Sequence, residues 1–334
     1  MSTRFAFAYG VLAAIVLATA VGDRWPDDPA SDPVAAGLVP TAAAWPTVWA
    51  PRQTPPAPEC NPRASLRPQD PLPAPGHMPT GSTMARIFER GHLIAAVNRD
   101  TYGFAFRDEH LRPEGFDIDI VRDIAAAIFG DPEKVVFRPV HEVNRLPIVR
   151  SGQVDLVVAT VTTNCKRRES VDFSTVYYEA GQRVLVNRDS AITGLDDPKI
   201  GRVCAARGTT SLGKILAAPS KAIPVGAATT TDCLMMLQLD EVDAVSTDDT
   251  RLAGMVAQDP RTEVVGPRIT EEPYGIVMNK GTPDLVRFVN AVLERRTEDG
   301  RWRASYERWL TLLGPPPSPP TPQYRDCHYD GLHC

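Results

Sequence analysis

Three short strings in this 334-residue chain place charged and hydrogen-bonding groups at spacings able to hold a small charged molecule. Arg207-Gly208-Thr209-Thr210-Ser211-Leu212-Gly213-Lys214 has the Gly-x4-Gly-Lys spacing that opens a phosphate-binding loop. The next residue is Ile215, where a Mg²⁺-binding hydroxyl is needed, and no partner aspartate is evident at a strand end, which argues against a nucleotide. A tight turn into a helix N-terminus at Thr210–Ser211 fits better, because free N–H groups and the helix dipole favour an anion such as a carboxylate. An ordinary N-cap on Ser211 reads the same way. Lys166-Arg167-Arg168 offers guanidinium forks that match a carboxylate, or simply a solvated basic turn. Val242-Asp243-Ala244-Val245-Ser246-Thr247-Asp248-Asp249-Thr250 ends a β-type run on two adjacent carboxylates. The six histidines (His77, His92, His110, His141, His328, His333) fall in none of these strings, and no cysteine has CxxC or Cys/His metal spacing, so neither metal nor cofactor is implied. A balance of 36 basic against 41 acidic residues gives no reason to expect nucleic acid.

The elements that must carry these strings alternate. Strand patterns are expected at Leu93–Val97, Val135–Val140, Asp155–Ala159 and Arg183–Val186, with helices over Ile118–Phe129 and, kinked by Pro147, Val143–Gly152. A second cycle has strands at Val203–Ala206, Ile223–Val225, Ala244–Ser246 and Glu263–Val265, with helices from Ser211, over Thr231–Leu239 and over Thr250–Ala257. Tyr274–Met278 returns as a strand before one or two helices in Pro283–Leu313. Alternation of this kind implies parallel βαβ units, here in two α/β lobes joined by crossing strands near Leu185–Arg188 and Glu272–Val277. Ligands in such sheets sit beyond the carboxyl ends of the strands, which places a site in a cleft between the lobes.

Gly115-Phe116-Asp117-Ile118-Asp119-Ile120-Val121-Arg122-Asp123-Ile124-Ala125-Ala126-Ala127-Ile128, alone, is an amphipathic helix with an acidic first turn. As a string it resembles the signature of extracellular solute-binding proteins of the polar amino-acid family. Thr160-Val161-Thr162-Thr163-Asn164-Cys165-Lys166-Arg167 with Asp172-Phe173-Ser174 resembles that family's Thr-x-x-x-x-Arg…Asp-Phe-Ser stretch. The resemblance covers about Thr83 to Gly314 and is closest to an actinobacterial glutamate-binding branch, through Val203–Leu212 and Asp232–Leu234. It implies a two-lobed, type II periplasmic-binding-protein-like fold with two hinge-crossing strands and the ligand in the interlobe cleft. It also implies roles: Arg167 on the ligand's α-carboxylate with Thr162 as hydroxyl partner, and Thr160 narrowing the pocket where relatives often carry Gly. The loop Arg207, Thr209, Thr210, Ser211 would meet the carboxylate as well, and Asp248 the ammonium, with Asp249 starting a helix or exchanging roles with it. Asn98, Arg99, Thr101, Tyr102, Phe104 and Phe106 would face the ligand's side chain. Arg99 or Arg207 would meet a second carboxylate and favour glutamate or aspartate; the alternative for each is a surface residue.

Fifteen of the 32 prolines lie in Asp23–Thr80 and six in Pro315–Pro322, so the globular part is expected from Gly81 to Gly314. The expected organisation is a secretory signal or membrane anchor at 1–22, a Pro-rich linker at 23–80, one lobe at 81–186 plus 276–314, a second at 187–275, and a Pro-rich tail at 315–334. No cysteine precedes Cys60, so a lipid anchor is not supported. Six cysteines in an exported chain read as disulfides; of fifteen possible pairings the working set is Cys204–Cys233, Cys60–Cys165 and Cys327–Cys334. The function expected is capture of glutamate, aspartate or their amides by hinge closure and delivery to an ABC permease. The alternatives are a sensor presenting the same ligand to a membrane receptor, and a dehydratase-type enzyme on the same fold.

Overall fold

The computed structural model describes residues 60–325, all within the unit Pro56–Cys334. The apolar run Phe5–Gly22, the linker before Cys60, Cys327 and Cys334 lie outside the described residues. Two five-stranded sheets organise the rest. In the first, Val135–Pro139, Leu93–Val97 and Leu156–Val158 run parallel, and Val277–Met278 then pairs antiparallel with both Leu156–Val158 and Asp172–Phe173. In the second, Ile223–Ala227, Arg202–Ala206 and Ala244–Asp248 run parallel, followed by Gln182–Asn187 and Thr262–Val265, antiparallel.

Each sheet is buried on both faces, so its strands read as near-continuous apolar runs. The first helix of the motif strings, Phe116–Phe129, buries Phe116, Ile118, Ile120, Val121, Ile124 and Ile128 against the first sheet. Each such side chain is worth about 1.5–3 kcal/mol when fully buried. Gly115 precedes it at φ 125°, and a Cβ there would lie 2.3 Å from the Phe104 carbonyl oxygen, so only glycine allows this approach. The second sheet carries helices Thr210–Ala217, Thr230–Gln238 and Asp249–Gln258, each beginning at the carboxyl end of a strand.

The chain crosses between the sheets on Tyr178–Ala180 and Glu272–Tyr274, which pair antiparallel, with Tyr274 opposite Tyr178. Leu185–Arg188 was expected as a crossing strand; Leu185–Asn187 instead lies inside the second sheet, bonded to Thr262–Val264, and the crossing falls one segment earlier. The expected helix over Val143–Gly152 is a 3₁₀ turn at Glu142–Asn144 followed by Arg145–Arg150, and Pro147 falls in that helix's first turn, where a missing N–H is tolerated. The C-terminal pattern divides at Gly300, φ 79°, into helices Pro283–Glu298 and Arg301–Trp309.

The described parts of the proline-rich ends join the folded body. Ala64–Leu66 and Gln323–Arg325 form a two-stranded parallel sheet, with Ala64, Ser65 and Leu66 buried. Asn290 donates to Ser65 Oγ and to the Leu66 carbonyl, and Arg325 pairs with Asp172. Among the described residues two disulfides are present, Cys60–Cys165 and Cys204–Cys233. No helix among the described residues is long and apolar enough to cross a membrane.

Candidate functional site

The carboxyl ends of the two sheets meet at a closed cleft. Arg167 lies on the short helix Cys165–Arg168, whose N-cap Asn164 accepts from the Arg167 backbone N–H at 2.8 Å. Its guanidinium donates to the Thr162 carbonyl at 2.7 Å and reaches the second half at the Gly208 carbonyl, 3.1 Å. Burial lowers the Arg167 pKa, while Glu272 and Asp248 act to raise it. Gly208, φ 80°, would with a Cβ come 2.7 Å from Val143 Cα, so a backbone-to-backbone contact seals this end of the cleft.

Thr162 and Thr210, one from each half, both donate to the same oxygen of Glu272 on the returning crossing strand. Thr209, not Ser211, is the N-cap of Thr210–Ala217, accepting from Leu212 N–H at 3.2 Å. Ser211 is buried beneath it, its carbonyl accepting from Gln182.

Asp248 is buried at the end of Ala244–Asp248 and accepts from Tyr274 Oη at 2.5 Å. Burial, reinforced by Glu272, pushes its carboxyl up to about 6. Asp249 starts the next helix and pairs with Arg268 at 2.6 Å.

Thr160 has φ +47°, a left-handed conformation costly for a β-branched residue. Three bonds hold it there: its N–H donates to Asp117, its carbonyl accepts from Arg145, and its hydroxyl accepts from Arg251 at 2.8 Å. Asn98 also donates towards that hydroxyl, at 3.4 Å. Asp117 is buried under Thr160 and Tyr177, and burial pushes its carboxyl up to about 7.

Sequence reasoning misplaced three side chains. Arg99 and Arg207 are exposed, and Arg207 folds its stem over Gly226 rather than into the cleft. Phe104 is fully buried in the first-sheet core, edge-on to Phe116, Tyr178 and Tyr274. Tyr102 stays 46% exposed, its ring tilted against Phe106 and its stem close to Gly254 across the cleft.

It also missed four. Glu272 brackets the threonine hydroxyls, Arg145 donates to the Ala159 and Thr160 carbonyls, and Arg251 forms a buried ion pair with Glu142 at 2.6 Å across the two halves. Burial, then the charges of Arg167 and Arg251, lowers Arg145 to about 9. Burial alone would raise Glu142, but Arg251 and Arg145 outweigh it and hold the carboxyl below its usual range. Glu142 lies 109 residues from Arg251, and only its position just after a strand end hinted at the site.

A closed cleft between two α/β halves, with crossing strands behind it and opposite charges on its walls, defines a hinged small-molecule receptor. The chain belongs to the bacterial extracellular solute-binding proteins, family 3, whose family model matches residues 93–312. It is 34% identical to the ABC transporter glutamine-binding protein GlnH of Bacillus subtilis over 68% of this chain and 84% of that one. It is 29% identical to the glutamate-binding protein GluB of Corynebacterium efficiens over 72% and 84%. Among solved structures, the solute receptor for L-cysteine of Neisseria gonorrhoeae superposes with a TM-score of 0.66 at 29% identity, covering 70% of this chain and 96% of that one. The ancestral amino acid-binding protein AncCDT-1, described as a precursor of cyclohexadienyl dehydratase, does so with 0.61 at 30% identity, over 68% and 99%.

Proposed function

We propose that the protein binds a free α-amino acid outside the cytoplasm by closing its two lobes on it, and delivers the amino acid to an ABC permease. The observation that carries this is the disposition of charge across the cleft: Arg167 on one wall, bonded to the opposite loop at Gly208, and Asp248 on the other, buried and facing the same space. A zwitterion leaves water only where both its charges are met, and this pair supplies both signs.

In this reading the α-carboxylate takes Arg167, the Thr162 hydroxyl and the N–H groups of Thr210 and Ser211, and the ammonium takes Asp248. Asn98 and Thr160 line the path of the side chain. The lobes correspond to the two sheets, with the hinge at Tyr178–Ala180 and Glu272–Tyr274. Binding without chemistry is supported by the curated relatives, which are named as binding proteins. The apolar segment at 1–22 then anchors the receptor in the membrane through the Pro-rich linker or is cut from it on export.

Isothermal titration of the protein with the common L-amino acids tests the reading. Saturable heat with at least one of them is expected; no heat with any would overturn it.

A further inference from the structure

Several strand ends meet where the two halves touch. Glu142 and Thr160 follow Val135–Pro139 and Leu156–Val158 in the first sheet. Gly208, Thr230 and Arg251 follow Arg202–Ala206, Ile223–Ala227 and Ala244–Asp248 in the second. The turn at Glu142–Asn144 is met by all three of these. Gly208 packs on Val143, Thr230 donates to Glu142 Oε1 at 3.3 Å, and Arg251 Nη1 donates to the same oxygen at 2.6 Å. Arg251 Nη1 also reaches Thr230 at 2.9 Å, and its Nη2 the Thr160 hydroxyl at 2.8 Å. The ion pair is nearly sealed from water, with side chains 6% and 3% exposed. Burial works against the Glu142 charge, and Arg251 and Arg145 outweigh it, so both partners are charged. By contrast, Thr231 bonds Asp100 across the same boundary at 3.1 Å in an exposed position. The bonds of the buried cluster are spent between the halves, which separates its role from that of Arg167 and Asp248.

We propose that Glu142 and Arg251, braced by Thr160 and Thr230, form a lock between the lobes. The pair joins only when the cleft is shut and keeps the ligand in without touching it. This inference rests on the hinged, amino-acid-binding reading above. In that reading Glu142 and Thr160 belong to one lobe and Arg251 and Thr230 to the other. Opening the hinge therefore parts three bonds: Arg251 to Glu142, Arg251 to Thr160, and Thr230 to Glu142. Apart, each charge is hydrated. Joined, each loses its water, and the loss is offset by the opposite charge and the two hydroxyls. Deleting one partner strands the other, charged and dry, in the shut form alone, whereas deleting both charges removes that penalty. A ligand is retained only while the lobes stay together. The pair thus acts on how tightly and how long any ligand is held, through the population of the shut form, and not on which ligand it is.

The test is a double-mutant cycle on the full chain: Glu142→Gln, Arg251→Met and the two combined. It is read by calorimetry and stopped-flow with those common L-amino acids that bind the wild type. Each single change should weaken binding at least about tenfold, and the combined variant should lose at least about tenfold less than the product of the two. Additive losses, or none, overturn the proposal. The weakening should fall on the dissociation rate, because the ligand enters while the pair is apart. Slower association with unchanged dissociation overturns it. Where several amino acids bind, all should weaken by one factor; a change in their rank order would make the pair a ligand contact and overturn the lock. If Arg251→Met does not fold, Arg251→Gln takes its place in the cycle. Failure of both, or of Glu142→Gln, to fold would make the pair part of the fold itself and overturn the proposal. If no amino acid binds the wild type, the receptor reading falls and the lock is judged by amide hydrogen exchange over residues 142–145 and 208–212. Exchange there should be faster in each single variant than in the wild type and slower again in the combined one; equal exchange overturns the lock.

Discussion

The two arginines that bridge the halves of the molecule are bonded in different ways. Arg167 is held by two main-chain carbonyls, those of Thr162 and Gly208, and is half-buried. Arg251 is held by a carboxylate and two hydroxyls and is buried. A carbonyl bond is exchanged for a ligand carboxylate at a gain, because the new partner carries full charge. A buried carboxylate bond is not, because the partner left behind is then charged and alone. By this argument Arg167 can exchange a partner for an anion and Arg251 cannot.

The largest effect expected on that contrast comes from Arg167→Ala. Removing the group proposed to meet the α-carboxylate should weaken amino-acid binding by at least about a hundredfold, in line with the roughly 2–5 kcal/mol seen when one partner of a buried charge pair is truncated. Calorimetry reads this directly, and the melting temperature should move little, since the guanidinium bonds only carbonyls. Full retention of affinity would move the carboxylate site elsewhere in the cleft. Next in size is Gly208→Ala. Its Cβ would meet Val143 Cα at 2.7 Å and its φ of 80° disfavours any side chain, so the Arg167 end should fail to shut. Affinity should fall by roughly 10–100-fold while the lobes stay folded. Small-angle scattering with saturating ligand should show the open form persisting.

A third effect depends on pH and has opposite signs for binding and for stability. Burial pushes the Asp248 carboxyl up to about 6, and in the proposed mode the ligand's ammonium needs it ionised. Affinity should therefore rise with pH through 6 and be about tenfold weaker at pH 5 than at pH 7.5. Asp248→Asn should bind weakly at both values and lose this slope. Folding stability runs the other way. Asp117, at about 7, and Asp248 both lie above the ordinary aspartate value of 3.8, so the native state holds extra protons between those limits. Their contribution is present below pH 4 and is lost as pH rises through 6 and 7. Urea titrations of the wild-type and Asp117→Asn chains at pH 5 and 7.5 check this: the wild-type chain should lose more stability over the interval than the variant. A parallel pH response in the two chains would break the assignment to Asp117.

The contrast between the two arginines also explains what the amino-acid sequence made legible. Arg167 and Asp248 sit in strings whose neighbours are fixed by local structure: a capped turn with Asn164 in one, a strand running into a helix in the other. The resemblance of those strings to the family's, and not spacing alone, singled them out. Glu142 and Arg251 have no such local partner, and their pairing exists only once two sheets close on each other. Arg99 and Arg207 were overvalued because a charge beside a strand end can point outward as readily as inward. Phe104 was misread because Gly103 turns the chain, φ 81°, and sends the next aromatic ring into the core. The alternation of strands and helices revealed both sheets, but the crossing point was misjudged by one segment because Tyr178–Ala180 and Gln182–Asn187 are equally strand-like and separated only by Gly181.

The smallest expected effect concerns how the Arg167 end is braced. Residues 60–66 run behind it: Cys60 is bonded to Cys165, Thr163 and Arg168 donate to the Pro62 carbonyl, and Ser65 donates to the Phe173 carbonyl at 2.7 Å. Arg63 pairs with Glu179 on one crossing strand and with Glu271 beside the other. No comparable strap is described behind Arg251, whose helix is held by the second-sheet core. The Cys60–Cys165 link closes a span of 105 residues, so the double change Cys60→Ser, Cys165→Ser should lower the unfolding free energy by about 2–5 kcal/mol. Affinity should fall only a few-fold, because the Asn164 cap still sets the Arg167 backbone. Opening Cys204–Cys233 instead, across 29 residues of the second sheet, should cost less stability and leave the Arg167 end unaltered. If loss of the Cys60 link weakened binding as much as Arg167→Ala, the strap and not the guanidinium would be what makes that end receptive to an anion.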